Sequence, residues 1–261
     1  IECSFSQPLA TGPQNADFKR DMEAWSAIAP QLFIWNYVTN FRNYILPHPN
    51  MRVLAPNIRF FVDNNAIGLF EQGDSSCAIS DFPEMRAWVL AHLMWDPSRD
   101  EYALMNEFLE GYYGPAAASL RDYIDLLHNA AAWSGVYLRC YMNDTSAWLT
   151  LEEVSRAIEL FDEAEELAAG DPVIAKRVAR ARMPLDNVLL NRYYELKRTA
   201  KREDVPFPGP ADPLAFAEDF IARAEAFDAN SYREGRPFEV FSETLRMWSP
   251  PRCPLPAAFE G

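Results

Sequence analysis

The apolar positions change period along this chain, and each change marks an element. Residues 1–6 alternate, with Ile1, Cys3 and Phe5 on one face and Glu2, Ser4 and Ser6 on the other, which is strand periodicity. Pro8 and Gly12-Pro13 interrupt it. Phe18, Met22, Trp25 and Ile28 then share one helical face, with Asn15 placed to cap that helix and Pro30 to end it. Leu32 to Val38 is nearly all apolar and rich in β-branched and aromatic residues, as expected of a parallel strand covered on both faces. After a loop holding Pro47, His48, Pro49 and Asn50, a second helix is predicted from Met51 or Pro56 to Val62. Asn50 is a candidate cap for it. A turn at Asn64-Asn65 leads into a strand from Ala66 to Glu71. The order β-α-β-α-β with short connections predicts parallel strands joined by right-handed crossovers.

Beyond Gly73 the period is helical. Asp81 with Glu84, Ser98 with Glu101, and Thr150 with Glu153 each have capping-box spacing ahead of an apolar run. A further helix carries Leu120, Tyr123, Ile124 and Leu127, followed by a less regular aromatic stretch from Trp133 to Trp148. Trp88, Trp95, Phe108 and Tyr112 have the spacing of core residues, and the acidic run around Glu163, Glu165 and Glu166 that of a solvated face. Asp171-Pro172 opens a long helix to about Thr199, which Pro184 is expected to kink or split. Asp212-Pro213 opens one more, and the proline-rich end, residues 249–261, is expected to lie over the surface. The fold class expected is α/β followed by all-α, divided into residues 1–78 and a helical domain over residues 79–261.

Composition narrows the function. A chain of 261 residues that is 49% hydrophobic can bury a substantial core. Its 38 acidic against 24 basic side chains give a net charge of −14, which disfavours nucleic acid and anionic membrane as partners. Cys3, Cys77, Cys140 and Cys253 form no CxxC pair and read as free thiols, and three scattered histidines give no zinc pattern. No metal and no cofactor is expected, and no phosphate-binding glycine loop or nucleophile elbow is present.

Three βα segments are too few to close a barrel, but the last strands of a (β/α)8 barrel followed by a helical domain would have this pattern. Functional groups of such a barrel lie at the carboxyl ends of its strands. The candidates are then Glu2, Trp35-Asn36-Tyr37 with Asn40, and Glu71-Gln72. Glu71 ends an apolar strand ahead of a Gly-Asp-Ser-Ser loop, where a carboxylate can act as a general acid or base or accept from a substrate hydroxyl. Trp35 and Tyr37 suit stacking on a sugar ring or packing between strand and helices. Asn36, Asn40 and Gln72 suit hydrogen bonds to hydroxyls.

The stretches IECSFSQPL, IWNYVTNFRNYILPHPNMRVLAPNIRFF, GLFEQG, MRAWVLAHLMWDPSRD and NEFLEGYYG resemble the C-terminal part of a bacterial family, domain of unknown function 4838. That family is grouped with glycoside-hydrolase TIM barrels and is distantly similar to α-glucuronidases and β-hexosaminidases. The resemblance covers roughly residues 1–128. It implies that residues 1–73 are the end of a barrel, completed by an upstream segment of the same protein that would carry the proton donor. Where the family is expected to read W-D-Y, this chain has Trp35-Asn36-Tyr37. An amide neither takes a proton nor attacks an anomeric carbon. The position then binds substrate, or activity is weakened, or substrate groups assist.

The resulting expectation is a carbohydrate-active protein, a glycoside hydrolase with Glu71 and Glu2 as carboxylates and Trp35, Asn36, Tyr37, Asn40 and Gln72 binding substrate. The alternative is a non-catalytic carbohydrate-binding or assembly module. The helical region would buttress the barrel and is a candidate homodimer surface. Free thiols point to a reducing compartment, whereas polysaccharide-degrading relatives are often exported.

Overall fold

The computed structural model describes residues 3–74 and 76–248. Two parallel strands, β1 (Leu32–Tyr37) and β2 (Ala66–Gln72), are flanked by α1 (Ala16–Ile28) and joined by α2 (Met51–Asp63). A helical array follows: α3 (Pro83–Trp95), α4 (Glu101–Tyr113), α5 (Ala117–Ser134), α6 (Leu151–Ala168), α7 (Pro172–Glu203) and α8 (Pro213–Ala226). A short hairpin, β3 (Ser231–Arg233) with β4 (Arg236–Pro237), leads into α9 (Phe238–Trp248).

The parallel β-α-β unit is therefore as the periodicity predicts, but the described strands do not close a barrel: β1 pairs only with β2. The third expected strand is absent from Cys3–Ser6, and Ile1 and Glu2 lie outside the described residues. The local reason is Asn15. Its side chain accepts from Ser4 N at 2.6 Å and donates to Ser4 O at 3.0 Å, while Phe5 N donates to Leu138 O at 2.8 Å. The backbone that a strand would offer to a neighbour is spent on a side chain and a distant loop, and Asn15 makes no helix cap.

The sheet packs on one face only. Leu32 and Ile34 meet α1 and α2 in a small core with Met22, Phe60 and Phe61. Phe33 (75% exposed), Trp35 (67%), Tyr37 and Phe70 face outward, so the expectation of a strand covered on both sides fails among the described residues. The apolar composition of β1 was satisfied on one face and left open on the other.

The main core runs from Val38, Leu54 and Ile58 through Phe82, Tyr123 and Phe161 to Leu185 and Val188, tying the β-α-β unit to the helical array. Two of the three proposed capping boxes do not form. Asp81 instead pairs with Arg86 while Phe82, the residue before α3, sits at φ 45, and Asp100, not Ser98, caps α4 by accepting from Ala103 N. Thr150 and Glu153 do form a reciprocal box. Pro184 leaves α7 unbroken. A proline in a helix interior costs about 3 kcal/mol, but here Val178, Ala181, Leu185 and Val188 on either side are all buried and hold the helix through it. Trp95 is 91% exposed, not core, whereas Trp88, Phe108 and Tyr112 pack as expected. The hairpin and α9 were not anticipated. The apolar face of α9, Phe238, Phe241 and Leu245, packs with Phe220 and Ile221 of α8. Cys77 is a buried free thiol; Cys253 and the proline-rich end fall outside the described residues.

Candidate functional site

The carboxyl ends of β1 and β2 are in register, with Asn36 opposite Glu71 and Tyr37 opposite Gln72. Side chains alternate across a sheet, so these pairs face opposite ways. On the packed side, Asn36 Nδ2 donates to Glu71 Oε2 at 2.8 Å, while Glu71 Oε1 is buried with no hydrogen-bond partner. Burial pushes the Glu71 carboxyl up to about 7, against the lowering effect of the Asn36 bond. On the open side, Trp35 Nε1 donates to Gln72 Oε1 at 2.7 Å, and the Trp35 ring meets Phe70 edge-on at 5.1 Å. The indole is held by a hydrogen bond and a ring contact and stays largely exposed.

Two hollows meet at this point. A cavity of about 660 Å³ lies along the edge of β1 that has no strand partner among the described residues, walled by Phe18, Ile34, Trp35, Asn36, Tyr37 and Tyr141. A cleft of about 450 Å³ lies beyond the carboxyl end of β2, where Glu71, Asp74, Glu84 and Arg86 converge. Both have the size of small-molecule sites. The Asn36–Glu71 hydrogen bond is the link between them, since Asn36 borders the first and Glu71 the second.

The loops that hold this arrangement are fixed from a distance. Asn40 is buried; it accepts from Arg42 N and Met142 N and donates to Met142 O at 3.0 Å. Its amide thus brings the segment bearing Tyr141 against the end of β1. Asn40→Ala is expected to cost about 2 kcal/mol, because it leaves buried backbone groups unpaired, and to enlarge the cavity mouth. Urea unfolding checks the first, and quenching of Trp35 fluorescence by acrylamide the second.

Behind β1, Asn50 Nδ2 donates to Val38 O and Asn50 Oδ1 accepts from Arg86 Nε, so it braces the strand end and does not cap α2. Arg86 also bonds the main chain at Asp81 and His48 and pairs with the Asp81 carboxylate at 2.9 Å, all out of water. His128 takes the cap's part, its Nε2 accepting from Met51 N at 2.9 Å. Burial drives the imidazoles down, His48 to about 3 and His128 to about 4, so both are neutral at pH 7.

Of the residues predicted for the site, the structure brings Trp35, Asn36 and Tyr37 to one cavity and places Glu71 directly behind Asn36. Gln72 is engaged by Trp35, Asn40 serves the loop, and Glu2 lies outside the described residues. Sequence reasoning missed Tyr141, Asp74 and Arg86. Asp74 belonged to the Gly-Asp-Ser-Ser loop already singled out, while Glu84, also in the cleft, had been read as a cap. Nothing in local spacing announces Tyr141, which arrives through contacts about a hundred residues apart in the chain. Among the described residues no group of three or more His, Cys, Asp or Glu is placed to hold a metal ion, and no helix is long and apolar enough to cross a membrane.

Residues 1–125 match the family model described as Domain of unknown function (DUF4838). The match supports, over the first half of the chain, the family resemblance drawn from its motifs. No curated protein and no solved structure matches the chain.

Proposed function

We propose that this protein acts on carbohydrate, as a glycoside hydrolase whose sugar site lies at the carboxyl ends of β1 and β2. The observation that carries this is the Glu71 carboxyl. It is buried, held up to about 7, lines the cleft beyond β2, and is bonded by Asn36, which borders the roomier cavity walled by Trp35 and Tyr37. A carboxyl that titrates near neutrality exchanges protons on either side of its pKa, as general acid–base catalysis of glycosidic cleavage requires. Aromatic walls match the apolar faces of a sugar ring, and Asn36 and Gln72 match its hydroxyls. Glu2 is the second carboxylate in this scheme, and an upstream segment of the same protein would complete the sheet along the open edge of β1. The aspartate expected at position 36 would put two carboxylates 2.8 Å apart; asparagine instead donates a hydrogen bond and assigns the position to binding and to holding Glu71.

The test is a panel of glycosides and oligosaccharides assayed on the intact natural protein and on its Glu71→Gln variant. Turnover that falls at least about a thousandfold in the variant is the expected outcome. No hydrolysis together with unchanged sugar binding in Glu71→Gln would sink the proposal.

The outward aromatic face favours a second function, a non-catalytic glycan-binding or assembly module. Phe33, Trp35 and Phe70 form an exposed apolar surface on a sheet with open edges, the kind of surface that partners cover. Calorimetric titration with oligosaccharides separates the two, since binding without turnover supports the module.

A further inference from the structure

A second cleft of about 430 Å³ opens where the first turns of α7 pass the end of α4 and the turn after α8. Its lining has the opposite charge to the Glu71 cleft. Lys176, Arg177 and Arg180 line it, with Asp228 as the one acid. In a chain with net charge −14, three bases in one hollow need an explanation.

Tyr112 fixes two of them. The Arg177 guanidinium lies over the Tyr112 ring, 3.9 Å from its centroid, and Nη1 donates to Tyr112 O at 2.9 Å. Arg180 Nη2 donates to Tyr112 Oη at 3.1 Å and pairs with Glu84. Stacking plus one main-chain bond holds the Arg177 fork in place while leaving most of its five N–H donors unspent. Among the described residues neither Arg177 nor Lys176 has an acidic partner within ion-pair distance. The helix start is not what attracts the charge, because the Asp171 side chain already occupies the amides of Val173 and Ile174.

We infer that this cleft binds an oxoanion, a phosphate, sulfate or carboxylate group, carried on a small organic molecule. A pre-set guanidinium fork beside an ammonium matches the two-pronged geometry of such groups. The volume exceeds what a bare ion fills and falls in the range of small-molecule sites. The Glu84–Arg180 pair forms the wall between this cleft and the Glu71 cleft, so the two lie back to back with opposite charge. The inference stands without the carbohydrate proposal.

Calorimetric titration of the whole protein with inorganic phosphate, glucose 6-phosphate and glucose tests it, on wild type and on Lys176→Gln and Arg177→Gln. Lys176 is exposed, so its variant cannot fail for want of folding. The expected result is binding of the anionic probes, no binding of glucose that responds to these substitutions, and a dissociation constant raised about tenfold in each variant. Tighter binding of glucose 6-phosphate than of phosphate identifies the ligand as an organic ester; equal binding identifies a free anion. Absence of binding by both anionic probes, or binding that neither substitution changes, overturns the inference.

Discussion

Replacing Glu71 with Gln is expected to stabilise the protein by about 3 kcal/mol near pH 8.5 and by less than about 1 kcal/mol near pH 5. The sign follows from burial. The carboxyl titrates at about 7 in the fold against an ordinary 4.5 in the unfolded chain. The folded protein therefore holds a proton that the unfolded chain releases between those values. Below pH 4.5 both states are protonated and the residue costs nothing. As pH rises toward 7 the unfolded chain ionises freely, the folded one does so only at a penalty, and stability is lost. Glutamine keeps the shape, accepts the same bond from Asn36 and never ionises. The difference between the two unfolding free energies, followed across pH in urea, isolates this one group from the rest of the titration. Equal stability at both pH values would mean that Glu71 finds a charged partner in solution. A variant that gains stability while losing activity would show a site that holds strain for function.

The second large effect is expected at Arg86. Arg86→Met should destabilise by about 3–5 kcal/mol, because it leaves the buried Asp81 carboxylate without its cation and frees the carbonyls of Asp81 and His48. The loss should also reach the candidate site, since Arg86 lines the Glu71 cleft and holds Asn50, which braces β1 at Val38. Arg86→Lys should recover only part of the stability. A single ammonium cannot reproduce a fork that bonds Asn50, Asp81 and the His48 carbonyl together. Adding Asp81→Asn to Arg86→Met should restore some of what was lost, because the uncompensated charge is then gone. Urea unfolding of the four proteins measures each step. A loss below about 1 kcal/mol in Arg86→Met would show that water reaches the pair.

These two residues also mark where sequence reading succeeds and where it stops. Glu71 could be found because an acid closing an apolar strand ahead of a glycine-containing loop is a local pattern. So could the parallel pairing of β1 with β2, and Trp35, Asn36 and Tyr37 at a strand end. Arg86 could not, since its partners are the main chain at His48 and a side chain at Asn50 that looked like a cap. The failures share one cause. Asn15, Asn40, Asn50 and Asp81 all have the residue type and position of local caps or turn formers, and in each the side chain bonds a backbone or side-chain group brought in by the fold. The same competition dissolved the expected strand at Cys3–Ser6. Pro184 was misjudged for the opposite reason, because propensity is local while the burial that overrides it is tertiary. Which face of β1 is covered was not legible, since the apolar run from Leu32 to Trp35 offers no alternation to read.

In the proposed function the carboxyl ends of β1 and β2 form a sugar site with Glu71 as its proton-exchanging group. The most direct measurement is the pH dependence of glycoside hydrolysis by the intact natural protein, beside that of its Glu71→Gln variant. The predicted result is turnover with a limb near pH 7, the value set by burial of Glu71, and no such limb and little turnover in the variant. Hydrolysis with the same rate and the same pH profile in both proteins would contradict it.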